Sequence, residues 1–480
     1  MTISLRDTDV RIILSCVVLL ALFLVRFPKL RRFEARAYGL AAVVGVAAFF
    51  NFGIQYHQWN EGFVNQWELY HYQLGSKYFP ELGYDGLYSA SLLAQRESDP
   101  DFPVGWVRDL ETNLMVSLEE HEPKVREVRA RFSEVRWQSF VADHQNYVAN
   151  TPPRFWSKVR EDHGYNPTPA WTFVARLFDS RLGSSVGELR FLVSLDIRTY
   201  GFQAGCLGIA IAGLGFGWRH LYIGSLLRLD WLAACVIGIC MLKRERFVLA
   251  GACIGYAAAV RVFPVLFLAG PGLIALRSWF AGDRPRWPFQ LAAGFIAVVC
   301  VGWAGGSMTG RGVAAWTEFA EDIQVHRQSW GTNQVGLDSL FVSGPSFLLA
   351  NLDAPAERRT RNEVTSILTE RRVGRVLAAG AMLLLLGLAV RRATLAESAV
   401  LGLAYWIMTI AIPFRRGRWA PLAILVLATT MYVIASFYPK MDHQPFIYAV
   451  FAWGNALILF AWLLPDAVRE LREIRQRLSG

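Results

Sequence analysis

The stretch QWELYHYQLGSKYFPELGYDGLY, Gln66 to Tyr88, gathers three carboxylates, a histidine, a lysine and a series of tyrosines directly after an apolar run. On a helix, Glu68 shares a face with His71, Tyr72 and Gly75, at spacings of three, four and seven. A carboxylate, an imidazole and a phenol then converge beside a residue with no side chain. That set suits general-base chemistry, in which a carboxylate takes the proton of a hydroxyl and an apolar surround raises its pKa into a useful range. Most loop carboxylates are merely solvated. Glu68 is set apart because it lies about three helical turns past an apolar run, among aromatics that exclude water. Pro80, Gly83 and Gly86 then break the helix and predict a compact turn.

A second candidate is Arg261, inside the apolar stretch LAGACIGYAAAVRVFPVLFL (Leu249 to Leu268). An arginine at that depth is costly without an anionic partner or a watery cavity. Its guanidinium offers a fixed fork of donors for a phosphate; the bland alternative is a structural pair with Asp230 or Asp196. A third group, the candidate substrate-binding residues His326, Arg327, Asn333 and Gln334, falls in WTEFAEDIQVHRQSWGTNQVGLDSLF. This stretch mixes aromatic and charged residues like an amphipathic helix at a membrane interface.

The elements that must position these residues follow from composition. The chain has 480 residues, of which 54% are hydrophobic and 13% aromatic, too apolar and in runs too long for an ordinary soluble enzyme. Residues 10–27 and 37–56 are each long enough to cross a hydrocarbon core of ~30 Å. Similar runs cover residues 191–218, 229–242, 248–276, 288–303, 373–390, 396–414, 419–437 and 445–464. Backbone groups in lipid must be satisfied internally, and no alternating strand pattern is visible, so the expected fold class is all-α. The expectation is a polytopic membrane protein of about 11–13 transmembrane helices. The first run lacks a small-residue cleavage site and is followed by PKLRRFEAR and a second span, which reads as a retained helix. The cysteines lie within or beside apolar runs as small fillers, which argues against a disulfide framework or a zinc site. The formal charge of +10 is accounted for by Lys and Arg at cytoplasmic helix ends, with no basic stripe for nucleic acid.

With PKLRRFEAR, KRERF and the segment from Arg277 to Trp287 on the cytoplasmic side, the chain divides as follows. Residues 1–56 form two N-terminal helices, 57–188 a first extracytoplasmic loop, 189–304 a set of transmembrane helices and 305–372 a second outer loop. Residues 373–465 form the C-terminal helices and 466–480 a basic tail. The segment from Phe247 to Arg277 leaves only about 15 residues for each of two crossings, so their turn near Arg261 stops short of the outer surface, at the floor of a cavity. Four full crossings in the last third would leave the basic tail outside, against the positive-inside trend. One of those segments is therefore expected to be broken or re-entrant. The side of FRRGRW (Phe414 to Trp419) and YPKMDHQPF (Tyr438 to Phe446) follows from the same crossing count.

A carboxylate just after an outward helix, followed by a tyrosine-rich helix and a Gly and LY ending, resembles the first outer loop of GT-C class glycosyltransferases. The branch it resembles is that of bacterial polyprenyl-phosphate-sugar-dependent mannosyltransferases and arabinofuranosyltransferases. HGYNPTPAWTFVARLF (His163 to Phe178) is similar to the family's tyrosine and proline segment that re-enters the membrane. Leu249 to Leu268 resembles its cytoplasm-side helix pair, often with Lys where this chain has Arg261. GTNQVGLDSLF (Gly331 to Phe341) is similar to its Asn-Gln segment. The family more often has Asp at the position of Glu68, and the insertion from Arg96 to Trp156 is longer here.

The resemblance implies a hexosyl- or pentosyltransferase of the bacterial inner membrane that moves a sugar from a polyprenyl-phosphate donor to an envelope glycan or lipid acceptor. It gives Glu68 the role of base, and His71, Tyr72, Arg261, His326, Arg327, Asn333 and Gln334 roles in substrate binding. Such a donor is presented from the outer leaflet, so the absence of a P-loop or GxGxxG fingerprint is expected. Many relatives use a divalent metal, but Glu68 with His71 is too small a set to establish one. The rival classes are a transporter or flippase for a lipid-linked or small polar substrate, which would be expected to show two related halves, and a non-catalytic assembly factor. No internal repeat is visible, and the polar mass is gathered into two loops on one face.

Overall fold

The apolar runs that fall on described residues form helices in the computed structural model, which describes residues 7–49, 65–100, 105–177, 202–203, 206, 209–210, 227–228, 230–328, 341, 354–391, 393–401, 464 and 467–479. Three helical segments among them are long and apolar enough to cross a membrane: Phe263–Phe280, Trp287–Ser307 and Arg372–Val390. The first two runs are not independent rods. Ile13–Leu24 and Pro28–Ala48 form a pair bent by 118°, with Pro28 opening the 3₁₀ turn Pro28–Phe33 at the corner. Arg26 fastens that corner, reaching the Glu34 carboxylate at 3.3 Å and the Tyr38 hydroxyl at 2.6 Å.

The tightest helix pair is written in small residues. Gly251 and Gly255, four apart on Phe247–Arg261, face Trp287–Ser307 so closely that a Cβ on either would strike the backbone of Leu291 or Phe295. Gly294 answers from the other side, against Val248. In lipid there is little hydrophobic drive between helices, so close backbone approach at such small-xxx-small positions supplies the packing. Asp230–Lys243 completes this layer, its buried Cys235 and Cys240 packed beside Ile254 and Ala250. That agrees with cysteine as an apolar filler.

The two ends of this layer differ in chemistry. At one end Phe247 meets Trp287 with ring centroids 6.0 Å apart, and Trp279 meets Phe289 at 5.9 Å. This end carries Lys243, Arg244, Arg246, Arg277, Arg284 and Arg286. Arg277 also donates to the Arg391 carbonyl (3.1 Å), and Arg391 pairs with Glu470 of the terminal segment (2.9 Å). The tail therefore sits at the basic end, which corrects the topology that four full crossings would give.

At the opposite end Gly305 and Gly306 leave room for Phe173, Pro169 and Trp316. Here the helices pass into a polar unit built from residues 65–177, with a core of Tyr70, Tyr78, Phe79, Tyr88, Trp137, Phe140 and Trp156. The unit is helical except for a two-stranded antiparallel hairpin, Trp106–Asp109 with Leu114–Ser117. This small departure from all-α lies in the long insertion. Its turn is held by Asp109, which accepts from Thr112 Oγ1 (3.0 Å), and by Asn113 at φ 55°, a conformation that asparagine tolerates better than most residues. The helix Ala314–Gln328 docks on the unit through Phe319 and Tyr84, 6.0 Å apart.

Candidate active site

Glu68 enters through a capped helix. The Asn65 side chain accepts from the Glu68 amide at 3.2 Å and starts the helix Gln66–Leu69, as an Asn at the N-cap does. The chain then widens into a π-turn over Tyr70–Leu74 before resuming at Gly75–Lys77. π-turns inside helices concentrate at functional sites. This one alters the single face that regular helical spacing predicts. Tyr72 stays beside Glu68, whereas His71 faces the helix Leu87–Ser98. Gly75 is where the Tyr165 ring lies against the backbone, and a Cβ there would collide with it.

The carboxyl of Glu68 is 3% exposed as a residue and lies 2.7 Å from Arg228 Nε. The pair meets by proximity without the alignment of a hydrogen bond, so its attraction is Coulombic. Arg228 also lies over the Tyr72 ring, 4.3 Å from the centroid, which fixes the guanidinium plane. Burial pushes the Glu68 carboxyl up to about 7; Arg228 opposes the shift, Asp162 adds to it and Arg261 opposes it. Desolvation outweighs two arginines here because the carboxylate has exchanged bulk water for aromatic and aliphatic walls.

Asp162 is the contrasting carboxylate. It accepts from the Trp67 indole at 2.7 Å and from the His163 amide at 2.8 Å. Burial works against its charge, but His71, His163 and those two donors hold it below the usual carboxylate range. Two neighbouring acids are thus pushed in opposite directions, the pattern by which acid and base roles separate. Glu68 is the one poised to exchange a proton near neutrality.

His71 does not offer itself to a substrate. Its Nδ1 pairs with the Trp67 carbonyl and its Nε2 with the Tyr88 hydroxyl, both at 2.8 Å, and it is buried. Burial pushes its pKa down, so it acts as a neutral brace with both nitrogens engaged. Neither ring nitrogen is left open to a substrate. Tyr72 does stand at the site, its hydroxyl donating to Asn166 Oδ1 at 3.2 Å.

Arg261 ends the helix Phe247–Arg261, and its Nε has no hydrogen-bond partner. The next residue, Val262, has φ 60° and ψ −61°, a region that a β-branched residue rarely enters. Strain of order 1–3 kcal/mol is typical of such positions and gathers at ligand clamps. It is held by the Val262 amide on the Ala258 carbonyl (2.8 Å) and by Thr168 Oγ1 on the Ala259 carbonyl (2.7 Å). The expected turn near Arg261 is therefore present, and Arg261 lies within electrostatic reach of Glu68. Asp230, its proposed structural partner, takes the Tyr256 hydroxyl at 2.7 Å; Asp196 lies outside the described residues.

The third group is only partly placed. His326 reaches the His163 carbonyl at 3.2 Å and Asp322 at 3.4 Å, which ties it to the segment that carries Asp162. Burial opposes its charge, but the Asp322 carboxylate outweighs that, and the His326 pKa is raised. Arg327 is on the helix Ala314–Gln328. Asn333 and Gln334 lie outside the described residues, as do Phe414 to Trp419 and Tyr438 to Phe446. Among the described residues no three His, Cys, Asp or Glu side chains are grouped to hold a metal ion.

Sequence reasoning missed Arg228 and Asp162. The signal for Arg228 was a lone cation in SLLRLDW at the edge of an apolar run, two residues before Asp230. Asp162 directly precedes the HGYNPTP segment, but its partner Trp67 is 95 residues away. Comparison with protein families, with characterised proteins and with solved structures returns no match to this chain. The functional reading therefore rests on the residues and their geometry.

Proposed function

We propose that the chain is an integral-membrane glycosyltransferase of the bacterial inner membrane, moving a sugar from a polyprenyl-phosphate donor to an envelope glycan or lipid acceptor on the extracytoplasmic face. The observation that carries this reading is Glu68, a buried carboxylate poised near neutral pH with Arg228 on it and Arg261 within electrostatic reach. In its ionised form Glu68 takes the proton of an acceptor hydroxyl. The acceptor oxygen bonds to the anomeric carbon as the carbon–oxygen bond to phosphate breaks, and polyprenyl phosphate leaves with both electrons. Arg261 meets the charge that develops on the leaving phosphate. Its unpartnered Nε and the strained turn behind it fit a donor group held ready for an anion. Arg228, stacked on Tyr72, tunes and orients the base.

The test is incubation of the purified protein with radiolabelled polyprenyl-phosphate sugars and membrane extract. Label appearing in a new product, and lost with Glu68→Gln, supports the reading. Absence of transfer from every donor in the panel, from protein that remains folded, sinks it.

A further inference from the structure

The terminal helix, residues 467–479, reads AVRELREIRQRLS. Ala467, Leu471, Ile474 and Leu478 recur at spacings of four, three and four and share one face, while Arg469, Arg472 and Gln476 lie opposite and Arg475 and Arg477 flank the apolar stripe. At about 20 Å the helix is too short to cross a hydrocarbon core of ~30 Å. The rest of the protein holds its first turn: Ala467 is buried, and the buried Glu470 pairs with Arg391 at 2.9 Å. Beyond that turn the stripe emerges. Leu471 is 52% exposed and Leu478 84%, and Arg469, Arg472, Arg475 and Arg477 are exposed beside them.

The place where this helix is tied says what covers the stripe. Arg391 directly follows Arg372–Val390, one of the segments long and apolar enough to cross a membrane, and Arg277 at the foot of another holds the Arg391 carbonyl. The terminal helix therefore starts at the level where those segments end. Trp279 and Phe289, paired at the same end, are 45% and 64% exposed, as rings at a membrane–water boundary are. At that level an exposed leucine stripe meets the acyl boundary, and arginines on its flanks reach up to headgroup phosphates. Charge selects among lipids: the helix has four arginines against two glutamates, and one of those, Glu470, is already matched by Arg391. We propose that residues 467–479 form an interfacial helix that binds the anionic lipid surface at the basic end of the molecule, with Leu471, Ile474 and Leu478 at the acyl boundary and the arginines on the phosphates. The contact strengthens with acidic lipid and weakens with salt. It forms whether or not the protein transfers sugar.

The experiment is hydrogen–deuterium exchange, read by mass spectrometry, on the full-length protein in nanodiscs of phosphatidylcholine alone and of phosphatidylcholine mixed with phosphatidylglycerol. Amides of residues 471–479 are expected to exchange at least tenfold more slowly with the acidic lipid. High salt should shrink that difference, and Leu471→Asp combined with Leu478→Asp should abolish it. Both leucines are exposed, so the double variant leaves the packed helices intact, which unchanged exchange across residues 230–261 checks. Equal exchange in the two lipids overturns the assignment without need of any variant. So does protection that survives the double substitution. Protection that appears in detergent and grows with protein concentration overturns it as well, since a second copy of the chain would then be what covers the stripe.

Discussion

Glu68 and Asp322 are both carboxylates withdrawn from water, and in both burial raises the pKa. Their neighbours differ. Glu68 lies under the Arg228 guanidinium, with Arg261 beyond it and Tyr72 stacked on the first arginine. Asp322 has one imidazole, that of His326, and a second oxygen that is buried without a hydrogen-bond partner. Desolvation sets the protonation of both, and the second charge decides what each can receive. A carboxylate held between arginines can work beside an anionic phosphate.

The sharpest way to break that comparison is to remove basicity at Glu68 alone. Glu68→Gln keeps size and most hydrogen bonding, so turnover should fall by ~10²-fold or more, the usual worth of a positioned base, while the protein remains folded. Glu68→Asp should keep part of the activity. A folded Glu68→Gln variant with undiminished transfer would falsify the assignment, and suspicion would not move to Glu81 or Asp85, since Arg136 and Arg131 hold those as ion pairs.

The same variant reads the desolvation directly. A carboxyl at about 7 in the folded chain and near 4.5 unfolded binds more protons when folded across that interval, so stability declines as pH rises through it. The span corresponds to roughly 3 kcal/mol at most. Glu68→Gln removes this slope, so its melting temperature relative to wild type should climb between pH 5 and pH 8. A pH-independent difference would mean that Glu68 titrates as an ordinary exposed acid.

Arg261 carries the next effect. Arg261→Ala should weaken binding of the lipid-phosphate donor about tenfold or more, the scale of a charge-assisted hydrogen bond, and Arg261→Lys should weaken it less because charge survives although the fork is lost. Normal donor binding by folded Arg261→Ala would make the residue structural, a partner for Asp230.

How far the sequence could see differs between these sites for a physical reason. The apolar runs, the cysteine fillers and the turn at Arg261 follow from local composition and residue counts, because a span of fixed thickness limits what a short stretch can do. Glu68 was legible for the same reason, since it lies close after an apolar run. The rest depended on contacts distant in sequence. Asp162 reaches Trp67 only once the polar unit has folded, and Arg228 reaches Glu68 only once that unit has docked on the segment before Asp230. The π-turn at Tyr70–Leu74 has no periodic signature, and it moved His71 from the substrate side to the brace that joins Trp67 and Tyr88. The side of the tail could not be decided by counting apolar runs, whereas the Arg391 and Glu470 pair decides which end it shares.

The smallest effect separates the two arginines. Burial raises Glu68 and Arg228 is the largest influence opposing it, so removing Arg228's charge should leave the base harder to ionise. Glu68 works only when ionised, so the rate rises with pH through its pKa. In Arg228→Gln that rising limb should move to higher pH, giving a several-fold loss at neutral pH that recovers in alkaline buffer as the base ionises again. The check is a pH profile of kcat/KM for wild type and variant in the labelled-sugar assay, with donor affinity measured alongside. A loss that persists at every pH, with weakened donor binding, would show that Arg228 holds the phosphate itself. The division between an arginine for the base and an arginine for the leaving group would then fail.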